Sequence, residues 1–371
     1  MQPNNILPGQ TIGILGGGQL GRMMATAAKH MGYRIAVLDP TPDCPAAQIA
    51  DHHVEAPYHD RNGIQLLADL SDVITYEFEN VDVAAAHLLE KQNVLPQGYR
   101  LLEITQDREN EKKSMVANGL PVAPFSIVHN EKELHEAITK IEYPAVVKTC
   151  RGGYDGKGQM KLESEDDLLE AIVFVEKHGR CVLEKWLSFD KEVSVVFTRS
   201  HSGDITFFPL AENAHKDHIL HTTIAPARVS AQVKEKVLAA ARAIADGIDV
   251  IGTFAIEMFV HGEDIYMNEM APRPHNSGHF TIECCNVSQF EQHIRAICGL
   301  PLIEIHSHGA ACMVNLLGED VEDYLARIQA STSGHIHVYG KKEIKPKRKM
   351  GHVTFIGASI ADIQRDKQIF S

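Results

Sequence analysis

The sequence predicts a mixed chain, α/β in its first part and α+β in the rest. An N-terminal open parallel sheet takes residues 1–100, a small central unit takes 101–187, and a mixed C-terminal unit takes 188–371. Strand-like and helix-like segments alternate through the first of these, which implies parallel strands joined by crossover helices. Near residue 150 an apolar run ends in a lysine before a glycine-rich loop, and near residue 263 two apolar runs flank a short polar turn.

Thr11–Leu15 is a short apolar run closed by three glycines, and Gln19–His30 follows with good helix formers until Gly32 stops it. Strands are expected at Ile35–Leu38, His53–Glu55 and Val73–Tyr76, with helices at Gly63–Leu70 and Val83–Lys91. Leu95-Pro96-Gln97-Gly98 interrupts this pattern and marks a boundary. The charged helix Asp107–Asn118 opens the central unit, where strands Ala145–Lys148 and Cys181–Glu184 flank one helix, Glu165–His178. Beyond Glu192, strand runs at Val193–Phe197, Thr206–Pro209, Thr253–Val260 and Ile265–Met270 surround a helix at Val233–Asp246.

Composition narrows the function classes. With 44% apolar and 23% charged residues the chain is an ordinary folded protein, and 36 basic against 49 acidic residues give a formal charge of −13 that disfavours general nucleic-acid binding. Seven cysteines, an odd number without C-x-x-C spacing, fit reduced thiols better than zinc or a disulfide framework. No run of 18 apolar residues occurs and the N-terminus has no basic leader, so a soluble cytoplasmic protein without membrane partners is expected.

Gly16, Gly18 and Gly21 fit G-x-G-x-x-G directly after a strand, and Asp39 lies at the end of the next strand, which taken alone suggests dinucleotide binding. Such a loop holds any anion on its backbone N–H groups, so it does not fix the chemistry, and no second feature supports a nicotinamide enzyme. In the second loop, Gly152-Gly153-Tyr154-Asp155-Gly156-Lys157-Gly158 follows the strand-end Lys148. A strand-end cation beside a glycine-rich hairpin suits nucleotide phosphates, although the spacing is not that of a Walker loop.

The runs Thr253–Val260 and Ile265–Met270 read as a β-hairpin. Symmetry about residue 263 places Glu257 opposite Glu269, on a face shared with Ala255, Phe259, Ile265 and Met267. Two carboxylates among apolar neighbours need a cation, and a hard divalent ion such as Mg2+ suits them. Asn268 reaches that ion only if the strand is twisted or bulged there. The following loop, Ala271 to His279, packs Arg273, His275, Asn276 and His279 around two prolines, a set suited to carboxylate, bicarbonate or phosphate and to proton transfer. Six Lys or Arg at 341, 342, 345, 347, 348 and 349 form a local basic cluster that a phosphate-bearing substrate would explain.

The order of Lys148, the glycine loop, Glu184-Lys185-Trp186-Leu187, Glu192, Glu257 and Asn268-Glu269 resembles the ATP-grasp superfamily. GGGQLGRM at the N-terminus, TYEFENV at 75–81, GGYDGKGQ at 152–159, APRPHNSGH at 271–279 and KRKMGH at 347–352 resemble the N5-carboxyaminoimidazole ribonucleotide synthetases of purine biosynthesis, over nearly the whole chain. Lys347 departs from that pattern, which has glycine before the arginine.

The resemblance implies an ATP-grasp fold, with the central unit as a lid, and a carbon-nitrogen ligase that carboxylates 5-aminoimidazole ribonucleotide with bicarbonate, through carboxyphosphate, to yield ADP and phosphate. It implies that Arg108, Lys148, Gly153, Tyr154, Asp155, Gly156, Lys157, Gly158, Gln159, Glu184, Lys185, Trp186, Leu187, Glu192, His215, Asn268 and Glu269 line the ATP site. Glu257 and Glu269 would hold Mg2+, with Mn2+ as an alternative. Gln19, Tyr154, Arg273, Lys341 or Lys342, and Arg348 would bind the ribonucleotide. Arg273 and Asn276 would hold bicarbonate, and His275 or Asp155 would take the amine proton. A homodimer with small-molecule substrates completes what the resemblance implies.

Overall fold

The computed structural model describes residues 5–153, 157–328 and 333–367, so Tyr154, Asp155 and Gly156 lie outside the described residues. Strands β1 (Thr11–Leu15), β2 (Arg34–Leu38), β3 (His52–Val54) and β4 (Val73–Tyr76) form a parallel sheet in the order β3-β2-β1-β4. β1 and β4 are apolar runs because a parallel sheet is covered on both faces. Helices α1 (Gln19–His30), α2 (Arg61–Leu70) and α3 (Val83–Lys91) supply that cover. Met24 and Ala28 of α1 pack in one cluster with Ile12, Ile14 and Ile35.

Two short helices follow, α4 (Arg100–Thr105) and α5 (Arg108–Ala117), the second capped by Asp107, which accepts the Glu109 N–H. The central sheet is antiparallel, with β5 (Phe125–Val128), β6 (Ala145–Thr149), β7 (Gln159–Leu162) and β8 (Cys181–Lys185) in the order β5-β8-β6-β7. Two helices cover it, α6 (Glu131–Ile141) and α7 (Leu168–His178), where the sequence led us to expect one. The apolar stripe of α6, Leu134, Ala137, Ile138 and Ile141, is masked in the sequence by the five Glu and Lys residues of the same helix.

The large C-terminal sheet contains β9 (Lys191–Arg199), β10 (Ile205–Phe207), β11 (Ala211–Lys216), β12 (Ile219–Ala225), β13 (Gly252–His261), β14 (Asp264–Ala271), β15 (Ala310–Leu317), β16 (His335–Val338) and β17 (Lys349–Gly357). Its path is β14-β13-β9-β11-β12-β15-β17-β16, with β10 beside β9. Helix α8 (Ala231–Gly247) fills one face, where Val233, Val237 and Ile244 meet Phe254, Ile256 and Met258. After the short α9 (Thr281–Cys284), α10 (Gln289–Ile297) packs Phe290, Ile294 and Ile297 into the α1 cluster and joins the first sheet to the last. α11 (Val321–Ile328) and α12 (Ile360–Lys367) complete the chain order.

The β13–β14 hairpin corrects one expectation. His261 pairs with Asp264 and Met258 with Met267, but Glu257 pairs with Glu269, so Asn268 is the extra residue of a β-bulge. The two glutamates do face one another, and the bulge makes them do so. It also moves Ile265 and Met267 to the core face with Ile256, Met258 and Val260, not to the glutamate face as simple symmetry predicts. The glutamate face instead carries Ala255, Phe259, Tyr266 and Ala271.

Candidate active site

The first glycine loop is filled by the protein itself. Gly17 N–H donates to Asp39 Oδ2 at 2.7 Å, Gly21 N–H donates to Glu77 Oε2 at 2.7 Å, and Gly18 N–H donates to the other Glu77 oxygen. A Cβ on Gly18 would meet Glu77 Oε1 at 2.5 Å. The carboxylate that follows β4 thus takes the position a dinucleotide phosphate would need, and the G-x-G-x-x-G pattern here serves an internal contact. Gln19 starts α1 beside this loop, half-buried.

The second loop lies at the lip of the central sheet. Lys148 pairs with Gln159 across the β6–β7 hairpin, and Thr149 N–H donates to Gly158 O at 2.8 Å. Gly158 has φ +71, and a Cβ there would meet Thr149 Oγ1 at 2.7 Å, so glycine is required. Gly153 lies near Arg108, 3.8 Å from its Nη2 for a Cβ built there, and Lys157 is exposed. Lys148 Nζ stands 3.3 Å from Glu184 Oε2. Burial pushes the Glu184 carboxyl up, but Lys148, Lys112 and Arg108 outweigh it and hold it at about 2. Beyond Glu184, Lys185 Nζ donates to Tyr143 O at 2.9 Å, Trp186 N–H donates to Pro144 O at 3.0 Å under the Lys161 ammonium, and Leu187 is half-buried.

Across the cleft, Arg108 Nη2 approaches Glu269 Oε2 at 3.9 Å, and Glu269 continues to Glu257 by strand pairing. Glu192, His215 and Glu257 offer ligand atoms within 4.8 Å of one another, with His215 Nδ1 3.1 Å from Glu192 Oε2. Burial raises the Glu257 carboxyl well above its ordinary value, and the charges of Glu192 and then Glu269 add to that. Glu111, whose Oε1 accepts the Met270 N–H at 2.6 Å, is pushed up to about 8 by burial and the Glu269 charge. A clustered set of mutually repelling acids is the donor chemistry that a hard divalent cation stabilises.

The loop after β14 is held from behind. Gln289 Nε2 donates to His275 O at 2.7 Å and its Oε1 accepts the His275 N–H at 2.9 Å. The Ser277 N–H donates to His275 Nδ1 at 3.3 Å, and Ser277 Oγ lies 2.9 Å from the same nitrogen. A backbone N–H can only donate, so Nδ1 is the acceptor and the neutral ring carries its proton on Nε2. That Nε2 stands 3.6 Å from Glu257 Oε1. Burial, followed by the charges of Arg273, Lys349 and His215, holds the imidazole well below its ordinary value and therefore neutral. In this geometry Nδ1 is engaged by Ser277 and Nε2 is the nitrogen nearer Glu257.

Arg273 Nε donates to Glu79 Oε2 at 2.6 Å and Nη1 donates to Pro274 O at 3.2 Å. Asn276 and Asn315 exchange amide hydrogen bonds of 3.0 and 2.7 Å, which places Asn276 in a buried bracket between the loop and β15 rather than leaving its whole amide for bicarbonate. In the basic segment, Lys341 Nζ donates to Lys349 O at 2.7 Å and lies 5.7 Å from the Tyr339 ring centre. Lys342 is exposed and paired with Asp43 Oδ2 at 3.1 Å, while Arg348 Nη1 donates to Glu343 O at 2.9 Å. Gln48 Nε2 donates to Gly340 O at 2.9 Å and Gln48 Oε1 accepts from Arg22 of α1, so this segment docks beside the first glycine loop. Sequence reasoning missed Glu79, Lys112 and Gln289. Only Glu79 had a local signal, its place in TYEFENV; the others are positioned by long-range packing.

Family models match three consecutive stretches: the ribonucleotide synthetase preATP-grasp domain over 9–106, the ATP-grasp domain over 113–290, and the phosphoribosylaminoimidazole carboxylase C-terminal domain over 311–366. The chain is similar to the N5-carboxyaminoimidazole ribonucleotide synthase of Bacillus subtilis, 49% identical over 357 residues that cover 96% of this chain and 94% of that protein. Among solved structures it resembles an ADP complex of an N5-carboxyaminoimidazole ribonucleotide synthetase, with TM-score 0.96, 51% identity and coverage of 98% of this chain and 97% of that one. It also resembles the Aspergillus clavatus synthase in complex with ADP and 5-aminoimidazole ribonucleotide, with TM-score 0.89, 31% identity and coverage of 99% and 98%. The chain therefore belongs to the N5-carboxyaminoimidazole ribonucleotide synthase family of ATP-grasp ligases.

Proposed function

We propose that this chain joins bicarbonate to 5-aminoimidazole ribonucleotide with ATP, giving N5-carboxyaminoimidazole ribonucleotide, ADP and phosphate in purine biosynthesis. One observation supports this most. The polar contacts Lys148–Glu184, Arg108–Glu269 and Glu257–His275 gather in one site, and the Arg273–Glu79 pair starts two residues before His275 in the same loop. The units 1–100, 101–187 and 188–371 are its working parts: ribonucleotide side, lid, and catalytic sheet.

Lys148 and Arg108 face the ATP phosphates, and residues 153–159 with Glu184 to Leu187, Glu192 and His215 enclose the nucleotide. Glu257 and Glu269, with Asn268 at the bulge beside them, suit Mg2+ or Mn2+ because Glu257 is buried and the charges of Glu192 and Glu269 bear on it despite Lys349 and Arg273. Such an ion, when bound, neutralises charge on the transferring phosphoryl group. A bicarbonate oxygen attacks the γ-phosphorus and ADP leaves; Arg273 orients the bicarbonate and the neutral His275 Nε2–H donates a hydrogen bond into the same space. The exocyclic amine of the ribonucleotide then attacks the carboxyl carbon and phosphate leaves. With His275 turned to donate, Asp155 takes the amine proton. Gln19, Tyr154, Lys341 or Lys342, and Arg348 hold the ribonucleotide.

A homodimer is proposed from family resemblance. The seven cysteines are buried thiols outside any disulfide, which suits the reducing cytoplasm, and among the described residues no helix is long and apolar enough to cross a membrane. The test is steady-state ADP release with labelled bicarbonate. One labelled carboxyl per ADP is expected, with release falling at least about a hundredfold when the ribonucleotide is omitted. ADP release indifferent to the ribonucleotide would overturn the proposal.

A further inference from the structure

Lys112 lies on α5 one turn beyond Arg108, and its side chain is only 1% exposed. Its Nζ stands 3.4 Å from Glu184 Oε2 and 3.5 Å from the carbonyl oxygen of Met267. Lys148 Nζ is 3.3 Å from that same Glu184 oxygen. The ammonium therefore joins α5, the β8 end of the central sheet and the β14 strand that carries Glu269. A buried charge is costly, and an apolar side chain of similar length would pack here without that cost, so the ammonium itself calls for a reason.

The reason lies in the shared oxygen. With one lysine, Glu184 and Lys148 would form an exclusive ion pair, and an incoming phosphate would have to compete with a buried carboxylate for that ammonium. With two, the carboxylate is divided and the lysines repel one another. Burial lowers the Lys148 ammonium, and although Glu184 raises it, the charges of Arg108 and Lys112 lower it again, so an additional anion is what this cluster lacks.

We propose that Lys112 is a positioning residue of the nucleotide site, which shares Glu184 with Lys148 and so keeps the Lys148 ammonium available to phosphate. This rests on the reading of Lys148 as a phosphate ligand. Lys112 touches no substrate in this account; it acts through Glu184.

The test is calorimetric titration of the whole protein with MgADP, together with ATP kinetics. Lys112→Met should raise Kd for MgADP and KM for ATP about tenfold or more while kcat at saturating ATP changes less than about threefold, and Lys112→Arg should stay within about threefold of wild type. In a Glu184→Gln background, adding Lys112→Met should change Kd by less than about twofold, because the intermediary is already removed. Should Lys112→Met not fold, Lys112→Gln, which can still donate to Met267 O, takes its place with the same expectations. Wild-type affinity in the Lys112 variant, or a full tenfold effect in the Glu184→Gln background, would overturn the proposal alone. A wild-type protein without affinity for MgADP would overturn the nucleotide-site reading on which it rests.

Discussion

Glu257→Gln is expected to slow substrate-dependent ADP release by at least about a hundredfold while the protein melts at or slightly above the wild-type temperature. The two halves of this result have one cause. Glu257 is buried beside Glu192 and faces Glu269, so its ionised form is unfavourable in the ligand-free protein. Its folded value is raised above the unfolded one, so its contribution to stability is complete below the ordinary glutamate range and is lost as pH rises through the raised value. Glutamine retains the shape of the protonated acid and removes that loss. Wild-type melting temperature should therefore fall from pH 5 to pH 8 more steeply than that of the variant, and added Mg2+ should raise the wild-type value at pH 8 more than the variant's. Parallel pH profiles, or turnover retained by the variant, would contradict the role given to Glu257.

Arg273→Ala is expected to cost both stability and carboxylation. Its guanidinium pairs with Glu79 at 2.6 Å, and burial pushes the Glu79 carboxyl up while Arg273 outweighs that and holds it below the ordinary range. Removing one partner leaves a partly buried charge uncompensated, and because the Glu79 side chain is 27% exposed the cost is expected at or below the low end of the roughly 3 to 5 kcal/mol typical of fully buried pairs. A lowered folded value means that the contribution is present above the ordinary glutamate range and is lost as pH falls through the folded value, so wild type and variant should converge in acid. The double variant Arg273→Ala with Glu79→Gln should regain most of the stability by denaturant titration, because neither charge remains. It should not regain kcat/KM for bicarbonate, which is expected to fall about a hundredfold or more in both variants. Recovery of both together would make Arg273 a structural residue only.

The parts of the fold legible in the sequence are those set by local pattern. The β1 glycine loop and α1 follow from an apolar run, three glycines and a run of helix formers, and their bounds agree with the structure residue for residue. Symmetry about residue 263 gave the Glu257–Glu269 pairing, but the turn is centred between Gly262 and Glu263 and the pairing is restored by the bulge. The faces around it were not legible, because a single extra residue at Asn268 reverses the alternation and nothing in the residue types announces it. α6 was hidden by its charges, while β15 is set by pairing with β12 about 90 residues earlier in the chain and β17 by pairing with β15. In the site, the tautomer of His275 and the load on Lys112 depend on Ser277, Glu184 and Met267 in space, which no local motif reveals. The first glycine loop shows the converse: a strong local motif was answered by Glu77, which no spacing within the loop reveals.

The most direct measurement of the central claim is anomalous scattering from a crystal grown with Mn2+ and ADP. A manganese peak is expected between Glu257 and Glu269 at the bulge, with the ADP phosphates directed toward Lys148 and Arg108. A peak bound away from both glutamates, or ADP seated in the Gly16–Gly21 loop in place of the Glu77 carboxylate, would contradict it.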